Sequence, residues 1–264
     1  MPEGDTVYRV ARAMHQALAG QVITGTDFRV PELATADLSG QTVTEVVSRG
    51  KHLLARTDRA LSLHTHLKME GAWHLYRPGR RWAGGPWHEI RAVLKTGTWV
   101  AVGYRLGIVE LIPTAEEHRV VGHLGPDLLG ADWDLEEALS RLRKDPDISI
   151  AEALLDQRNL AGIGNLYKNE ALFVSGINPW TKVSELEDLP KLIDKARRML
   201  KLNTVHWAQA TTGNASRGQQ HWVFERAGRP CRRCGTRVEA AEQGPAGAAR
   251  LTYWCPVCQP SPPA

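Results

Sequence analysis

The chain has 264 residues, 42% hydrophobic and 23% charged, a composition typical of globular proteins that excludes a disordered or fibrous one. Lysines and arginines number 33 against 29 aspartates and glutamates, which gives a formal net charge of +4. This surplus leaves no room for a polybasic tail but is compatible with a polyanionic partner. Charged residues interrupt the N-terminal segment, and no apolar run is long enough for a membrane span. The sequence therefore predicts a soluble cytoplasmic protein.

The first half of the chain predicts one helix followed by short strands. Apolar residues recur at helical spacing from Asp5 to Leu18, and Gly20 ends that pattern. From Val22 to Ile112, β-branched or alternating segments are separated by turn residues. The expected strands are 43–48, 52–57, 61–67, 72–76, 90–95 and 99–104. This succession predicts a β-sandwich or barrel.

One connection in this half carries an unusual composition. The segment 77–89 is rich in glycine and proline, and it carries Arg77, Arg80 and Arg81 beside Trp82 and Trp87. Two interpretations stay open: an exposed hairpin loop, or a loop that contacts nucleic acid.

Beyond Pro126 the apolar spacing becomes helical. The expected helices are 136–144, 148–157, 165–175 and 189–208. A boundary between a β-rich half and a helical half is therefore expected between Pro126 and Asp134, and the cysteine-containing end forms a third, smaller unit.

Four cysteines form two CxxC pairs, Cys231 with Cys234 and Cys255 with Cys258. The short spacing lets both sulfurs of a pair face one ion, and two pairs complete a zinc tetrahedron. A redox CxxC is normally a single pair near a βαβ pattern, so zinc is favoured. With four cysteine ligands the site is closed and hence structural. Several arginines surround it, and we favour nucleic-acid contact over a solvated basic face for them: Arg226, Arg229, Arg232, Arg233, Arg237 and Arg250.

A glycine turn lies between two of the predicted helices. Gly162 and Gly164 allow close approach of the backbone to a ligand, and the start of the second helix attracts an anion. Asn165 and Lys168 stand near that start and can add donors to a phosphate. Glycines that serve turn geometry alone are the other interpretation.

The N-terminus offers a nucleophile. Methionine before a small residue is usually removed, so we expect the mature chain to begin at Pro2. An unblocked amine of this kind can condense with an aldehyde-like carbon to an iminium, as a lysine does in a Schiff base. Glu3 can then exchange protons with the bound substrate. A flexible start without function is the alternative.

Taken together, these segments resemble the formamidopyrimidine-DNA glycosylase and endonuclease VIII family of base-excision repair enzymes. The matching segments follow the family order: 2-PEGD-5, 49-RGKHL-53, 123-HLGPD-127, 158-RNLAGIGNLYKNE-170, 223-VFERAGRPCRRCG-235 and 250-RLTYWCPVC-258. The opening MPEGDTV and the arginine in RLTYWC are most similar to the endonuclease VIII branch, whose members prefer oxidised pyrimidines.

The resemblance implies an α+β multidomain fold: an N-terminal β-sandwich with a flanking helix, a C-terminal helix-two-turn-helix bundle and a four-cysteine zinc finger hairpin. The implied domains are a catalytic sandwich at 1–125, a DNA-binding helical domain at 126–222, the zinc finger at 223–260 and a disordered tail at 261–264. Damaged DNA in a cleft between domains is the implied partner, one structural zinc the implied cofactor, and a monomer is expected.

The resemblance also implies roles for individual residues. Pro2 attacks C1′ of the damaged nucleotide, and Glu3 protonates the sugar and assists base departure. Lys51 is the second acid/base for β-elimination, and Arg250 contacts phosphate and assists δ-elimination. Asn165 grips backbone phosphate.

The family's residues that fill the gap left by a flipped base correspond here to Lys68, Met69 and Glu70. Met69 is apolar and unbranched enough to enter a base stack, although a core methionine is the other interpretation. An acid facing DNA departs from expectation, which leaves lesion preference open. The family's second DNA-contacting arginine has only approximate counterparts in Arg105 or His123.

Two other classes of function remain. A zinc-ribbon nucleic-acid binding protein without catalysis explains the cysteines but not Pro2, Glu3 and Lys51. An N-terminal-proline tautomerase-like enzyme explains Pro2 but neither the zinc finger nor the glycine turn. Formamidopyrimidine-type specificity for oxidised purines is the alternative within the family.

Overall fold

The computed structural model describes residues 2–206 and 208–261. The chain divides into two compact units, residues 1–123 and 124–264. Met1, whose removal was predicted, lies outside the described residues, as do residues 262–264 of the predicted disordered tail. Within the described parts of the chain, no helix is both long and apolar enough to cross a membrane.

Unit 1 is a β-sandwich with a helix packed on it. Its elements in chain order are α1 (Gly4–Leu18), β1 (Ile23–Phe28), β2 (Val43–Arg49), β3 (His52–Thr57), β4 (Leu61–His66), β5 (Ala72–Tyr76), β6 (Ile90–Thr96), β7 (Val100–Tyr104), β8 (Ile108–Pro113) and α2 (His118–Val121). Every predicted strand is present, and β1 and β8 are additions within the range where strands were expected.

Two antiparallel four-stranded sheets form the sandwich, in the orders β1-β6-β7-β5 and β2-β3-β4-β8. Alternate side chains of the strands face inward, and the apolar face of α1 covers the same core through Val7, Met14 and Leu18, each at most 1% exposed. The chain passes from one sheet to the other three times, between β1 and β2, through the turn after β4 and through the turn after β7.

Unit 2 contains a helical cluster and a two-stranded hairpin. Its elements are α3 (Leu135–Leu142), α4 (Ile150–Leu155), α5 (Asn165–Ser175), α6 (Leu189–Asn203), β9 (Glu239–Gln243) and β10 (Arg250–Trp254). The prediction for 165–175 is confirmed, whereas the helix expected at 189–208 is wrong at its C-terminal end. Helix α6 ends at Asn203, whose side chain hydrogen-bonds both the amide and the carbonyl of Ala210.

The helix expected at 148–157 is also shorter than predicted. Ser149 caps α4 by accepting a hydrogen bond from Glu152 N, so helical geometry begins one residue later. At the other end Asp156 is extended, and the chain enters the glycine turn. The turn therefore begins two residues earlier than the apolar pattern indicated.

Candidate active site and nucleic-acid interface

The N-terminal segment and the β2–β3 turn come to the same end of unit 1. Two hydrogen bonds set helix α1 antiparallel to strand β2: Gly20 N to Val43 O at 2.8 Å and Val46 N to His15 Nδ1 at 3.1 Å. From His15 back to Glu3 the helix rises about 18 Å. From Val46 forward to Lys51 the strand advances about 16 Å, so the two segments end at similar height. The fold thus brings Pro2 and Glu3 to the end of unit 1 that carries Lys51.

Backbone geometry fixes where these groups stand. Arg49 pairs with His52, so Gly50 and Lys51 form a two-residue hairpin loop. Gly50 has φ +57°, a conformation that a residue without Cβ adopts freely. Glu3 is the N-cap residue of α1 and is completely buried, in contrast to the flexible start that was the alternative.

The turn after β4 extends this end of the sandwich. His52 pairs with His66 across β3 and β4, so the turn formed by Lys68, Met69 and Glu70 emerges beside Lys51. Met69 is 60% exposed, which excludes the core-methionine interpretation. The wedge interpretation requires an exposed apolar side chain, and Met69 meets that requirement.

Arg105 braces this turn from the neighbouring connection after β7. Its Nε donates to Glu70 O at 3.2 Å, and its guanidinium forms an ion pair with Glu89. Its backbone has φ +48°, so Arg105 occupies a left-handed position that non-glycine residues seldom adopt. Of the two approximate counterparts, Arg105 thus supports the turn, whereas His123 lies exposed near the His52 ring.

A histidine cluster underlies the same end. The alternation of His64 and His66 predicts one polar strand face near the active site, favoured over a metal pair, but sequence reasoning did not include His52 and Glu110. His52 Nδ1 and His64 Nε2 are 2.8 Å apart, and His64 Nδ1 lies 3.1 Å from Glu110 Oε2. Because Glu110 accepts, His64 carries its proton on Nδ1 and accepts from His52. The signal was available, since His52, His64 and Glu110 lie on adjacent strands in the register of an antiparallel sheet.

Burial and nearby positive charges disfavour protonation of His52 and His66. Burial lowers the pKa of His52, and the neighbouring His66, His64, His123 and Lys68 act in the same direction, so that together they bring it to about 3. Burial also lowers the pKa of His66 to about 4, assisted by the ammonium groups of Lys68 and Lys51. Both lysines therefore act on the same imidazole, which agrees with their convergence at this end.

In unit 2 the glycine turn is braced by a side chain that sequence reasoning overlooked. Gly162 has φ +106°, and its amide donates to Gln157 Oε1 at 3.1 Å. Gln157 Nε2 in turn donates to Leu155 O and Ile163 O, both at 2.9 Å. Gln157 thus ties the end of α4 to the start of α5. The turn geometry therefore does not depend on a bound ligand.

The start of α5 is joined to strand β10 of the zinc hairpin. Asn165 Nδ2 donates to Leu251 O at 2.9 Å, and Tyr253 N donates to Asn169 Oδ1 at 2.7 Å. Asn165 therefore contacts Leu251, the residue that follows Arg250. Arg250 is exposed at the first position of β10. Two of the residues of unit 2 that were predicted to bind phosphate, Asn165 and Arg250, therefore lie near each other.

Lys168 requires a correction. It was predicted to add a donor to a bound phosphate, but it is completely buried, and its Nζ donates to Thr252 Oγ1 at 2.7 Å. Helical periodicity directs residue 168 at the hairpin rather than at the surface where α5 begins. The ammonium group of Lys168 therefore holds β10 in place.

Several arginines of the zinc-finger segment contact other parts of the fold. Arg226 is buried and donates to Trp222 O and Pro230 O, and Arg232 donates to His221 O, so these two fix the local backbone. Arg233 lies with its guanidinium 4.5 Å from the Phe173 ring centroid. The solvated or DNA-facing interpretation is wrong for Arg226 because the side chain is buried and its two terminal nitrogens donate within the fold.

The four cysteines form a preorganised metal site. Their sulfurs all lie within 4.8 Å of one another, with Cys234 and Cys255 3.4 Å apart and Cys231 and Cys258 3.9 Å apart. Zinc–sulfur bonds of about 2.3 Å in a tetrahedron place the sulfurs about 3.8 Å apart, so the cluster fits zinc.

The surroundings of the four thiols differ. Burial raises the pKa of Cys258 to about 12 and also raises that of Cys255, so a cation is needed to hold these two as thiolates. Hydrogen bonding by Thr236 lowers the pKa of Cys234 to about 6. The exposed Cys234 therefore ionises more readily than Cys255 and Cys258, which depend more on the metal.

Three family models match the chain in succession. Residues 1–103 match the formamidopyrimidine-DNA glycosylase N-terminal domain, residues 124–212 match the formamidopyrimidine-DNA glycosylase H2TH domain, and residues 228–260 match a zinc finger found in FPG and IleRS. The chain belongs to the formamidopyrimidine-DNA glycosylase family. The predicted sandwich, H2TH domain and four-cysteine zinc finger are confirmed by these matches and by the fold of the chain described above.

Relatives cover the whole chain. A probable endonuclease 8 2 of Streptomyces coelicolor is 54% identical, over 99% of this chain and 95% of that protein. A DNA-(apurinic or apyrimidinic site) lyase Nei2 of Mycolicibacterium smegmatis is 49% identical, over 98% and 99% respectively. The predicted resemblance to the endonuclease VIII branch is confirmed by these relatives.

Structures of a family member have been solved with DNA bound. The Lactococcus lactis formamidopyrimidine-DNA glycosylase has been crystallised non-covalently bound to DNA containing an AP site, and it has also been crystallised with DNA containing an oxidised pyrimidine. The two structures have TM-scores of 0.80 and 0.81 and 25% identity, and each comparison covers 98% of this chain and 100% of that chain.

Proposed function

We propose that this protein removes oxidised pyrimidines from DNA with the amine of Pro2 as nucleophile and then cleaves the strand by β,δ-elimination. The coarser activity follows from its family: it is a DNA glycosylase/AP lyase of base-excision repair. The observation that carries the finer proposal is the convergence of the N-terminal segment, Lys51 and the Met69 turn at one end of unit 1.

The first step exchanges one bond at the sugar for another. The lone pair of the Pro2 nitrogen attacks C1′, the glycosidic C–N bond breaks, and the base departs with its electron pair and takes up a proton. Pro2 nitrogen loses its proton in this exchange. The bond between C1′ and the ring oxygen then breaks, its electron pair stays on the oxygen, and the nitrogen lone pair forms the C1′=N double bond of an iminium on Pro2. Because the base must leave its stack to be reached, Met69 fills the vacated position.

Glu3 and Lys51 act on the protons of this step. The buried Glu3 carboxyl protonates the sugar ring oxygen as the ring opens, which assists base departure. The ammonium of Lys51 stabilises negative charge that develops on the leaving base, and the neutral amine can take a proton during elimination.

Strand cleavage follows from the iminium. Loss of a proton from C2′ and of the 3′ phosphate, with cleavage of the C3′–O bond, gives β-elimination. Loss of a proton from C4′ and of the 5′ phosphate, with cleavage of the C5′–O bond, completes δ-elimination. Arg250 holds a phosphate through its guanidinium, and the neighbouring Asn165 grips the backbone nearby. One structural zinc holds the hairpin that carries Arg250. The expectations of a monomer and of a cytoplasmic location stay predictions.

Borohydride trapping tests the nucleophile, because reduction of the iminium fixes a covalent protein–DNA adduct on DNA with an abasic site. We expect the wild-type chain to form the adduct and a variant with an N-terminal extension to form none. Glu3→Gln removes the acid, so base excision collapses while some trapping at a preformed abasic site persists. The product is read as a shifted band on a denaturing gel and confirmed by intact mass.

Lys51→Ala distinguishes the two candidate amines. It impairs excision but keeps the adduct when Pro2 is the nucleophile. If trapping survives a blocked N-terminus and disappears with Lys51→Ala, lysine is the nucleophile and the assignment of Pro2 is wrong. Excision of oxidised purines in preference to oxidised pyrimidines contradicts the proposed lesion class alone.

A further inference from the structure

The connection between β5 and β6 runs the length of its sheet and returns to the end that carries the Met69 turn. Ala72, at the start of β5, and Ile90, at the start of β6, both pair with Tyr104. A short 3-10 helix at Trp87–Glu89 immediately precedes Ile90 and therefore lies at the same end. The ion pair of Arg105 with Glu89 and its hydrogen bond to Glu70 O join this segment to the Met69 turn.

This connection is held in place along its length. Ala83 N donates to the Tyr76 hydroxyl at 3.1 Å. Gly84 packs so closely that a Cβ there would lie 2.6 Å from the Tyr104 ring and 2.7 Å from the His74 ring. Near its end, guanidinium groups bond the backbone: Arg29 to Trp87 O at 3.1 Å and Arg91 to His88 O at 2.8 Å. A ligand that binds here consequently costs little ordering of the loop.

The anchored segment nevertheless leaves a large aromatic side chain in solvent. Trp87 is 68% exposed, with the Arg29 guanidinium 3.7 Å from its ring centroid and the Trp82 ring nearly parallel at 6.1 Å. Core packing does not account for an indole so far exposed. An aromatic ring beside guanidinium groups is the arrangement by which proteins hold single-stranded nucleic acid.

The local charges favour an anionic ligand. Three arginines meet at this end, because Arg29 N bonds Arg91 O and Arg105 N bonds Glu89 O. Asp27 pairs with Arg29 and Glu89 with Arg105, whereas Arg91 forms no ion pair among residues 2–206 and 208–261. A phosphate backbone therefore finds a cation beside the exposed indole.

We propose that Trp87 is a stacking platform for an unpaired DNA base, next to the turn that carries Met69. In an intact duplex the faces of the bases are covered by their neighbours, so an indole can stack only on a base that is unpaired. Trp87 therefore adds affinity for DNA that is single-stranded beside the lesion. This inference rests on the proposed function, because it takes the Met69 turn as the point where DNA is held.

Equilibrium binding of Trp87→Leu and Trp87→Tyr tests the platform. The probes are one oligonucleotide with an uncleavable tetrahydrofuran abasic site, presented as a single strand, within a bubble and within a duplex. We expect Trp87→Leu to raise Kd for the single strand and the bubble about 10-fold or more. Trp87→Tyr keeps an aromatic face and stays within about 3-fold of wild type, and duplex binding changes little for either variant.

Trp180→Leu is the matched control, since Trp180 is an exposed tryptophan of unit 2. It should leave the ratio of single-strand to duplex affinity unchanged, and melting curves should show that all three variants fold. Unchanged binding of Trp87→Leu to every probe overturns the proposal. The exposed indole would then be assigned to contact with a protein partner instead of DNA. An equal loss on single strand and duplex overturns it too, since stacking on an unpaired base cannot act on both.

The proposed function fails by a different result. If the wild-type protein forms no borohydride adduct on abasic DNA, the lyase chemistry is wrong whatever Trp87 does. If the adduct forms and the Trp87 variants bind every probe as wild type does, the platform alone is wrong.

Discussion

The two regions that are predicted to meet DNA place their functional groups by opposite means. At the sandwich end of unit 1, hairpin loops and a helix start present Lys51, Met69 and Glu3, and strand register decides where they stand. At the α5–β10 face of unit 2, polar side chains such as those of Lys168 and Asn169 form hydrogen bonds within the protein. The first region is a frame that holds reactive groups at its edge. The second is a polar network that holds one exposed arginine.

The difference predicts that unit 2 depends on its polar and metal contacts more than unit 1 does. Cys231→Ser removes one zinc ligand, and binding of four thiolates supplies about 10 kcal/mol or more to the folding of a zinc finger. We expect the variant to lose stoichiometric zinc, the hairpin structure and most DNA affinity. Elemental analysis and binding to abasic DNA measure this. A variant that lacks zinc yet binds DNA as wild type does would show that the finger is dispensable.

A second way to break unit 2 is through Glu170. This buried carboxylate accepts from the amides of Trp222, Val223 and Phe224 at 2.8–2.9 Å and from the Thr211 hydroxyl. Glu170→Gln places an N–H against these donors and should cost about 3 kcal/mol. The melting temperature should then fall by roughly 6–12 °C.

Glu187→Gln is the matched control for this prediction, because Glu187 is an exposed carboxylate of the same unit. It should melt within about 1 °C of wild type. Equal melting of the two variants would mean that the carboxylate of Glu170 contributes no more than a surface charge.

The sequence predicts the groups at chain ends and turns much better than the buried network. The CxxC pairs and the glycine turn can be recognised in the sequence because their residues lie within a few positions of one another. Lys168 was misplaced because the preference of lysine for the surface is an average, and Thr252, which holds its ammonium, lies far along the chain. The role of Glu170 was invisible for the same reason: its partners are backbone amides of a loop, which no residue pattern marks.

Arg250 tests the same comparison at the surface of unit 2, because it is an exposed residue on the strand that the buried polar side chains of α5 hold in place. Arg250→Ala should leave the borohydride adduct intact but shift products from δ- toward β-elimination, because the phosphate loses its guanidinium. Denaturing gels resolve the two 3′ ends. Arg229→Ala, an exposed arginine of the same finger, should not move the product ratio. An unchanged ratio with Arg250→Ala would remove this residue from the lyase step.

The last expected effect concerns the histidine cluster of unit 1, where burial and neighbouring positive charges disfavour protonation of His52. The folded pKa of His52 is about 3 against an ordinary 6.5, so the unfolded chain binds more protons below about pH 6.5. Stability should therefore fall as pH drops from about 6.5 toward 3, by at most about 1.4 kcal/mol per pH unit from this residue. His52→Gln keeps a donor for His64 but cannot titrate, so its stability should fall less steeply over that range.

Urea unfolding at pH 7, 5.5 and 4.5 gives the slopes, and His88→Gln, an exposed histidine of the same unit, should follow the wild-type slope. Comparing slopes rather than absolute stabilities removes any pH-independent cost of the substitution. If His52→Gln and wild type lose stability in parallel, His52 takes up its proton in the folded protein. The lowered pKa of His52 would then be wrong, and burial would not keep this imidazole uncharged at the end of unit 1.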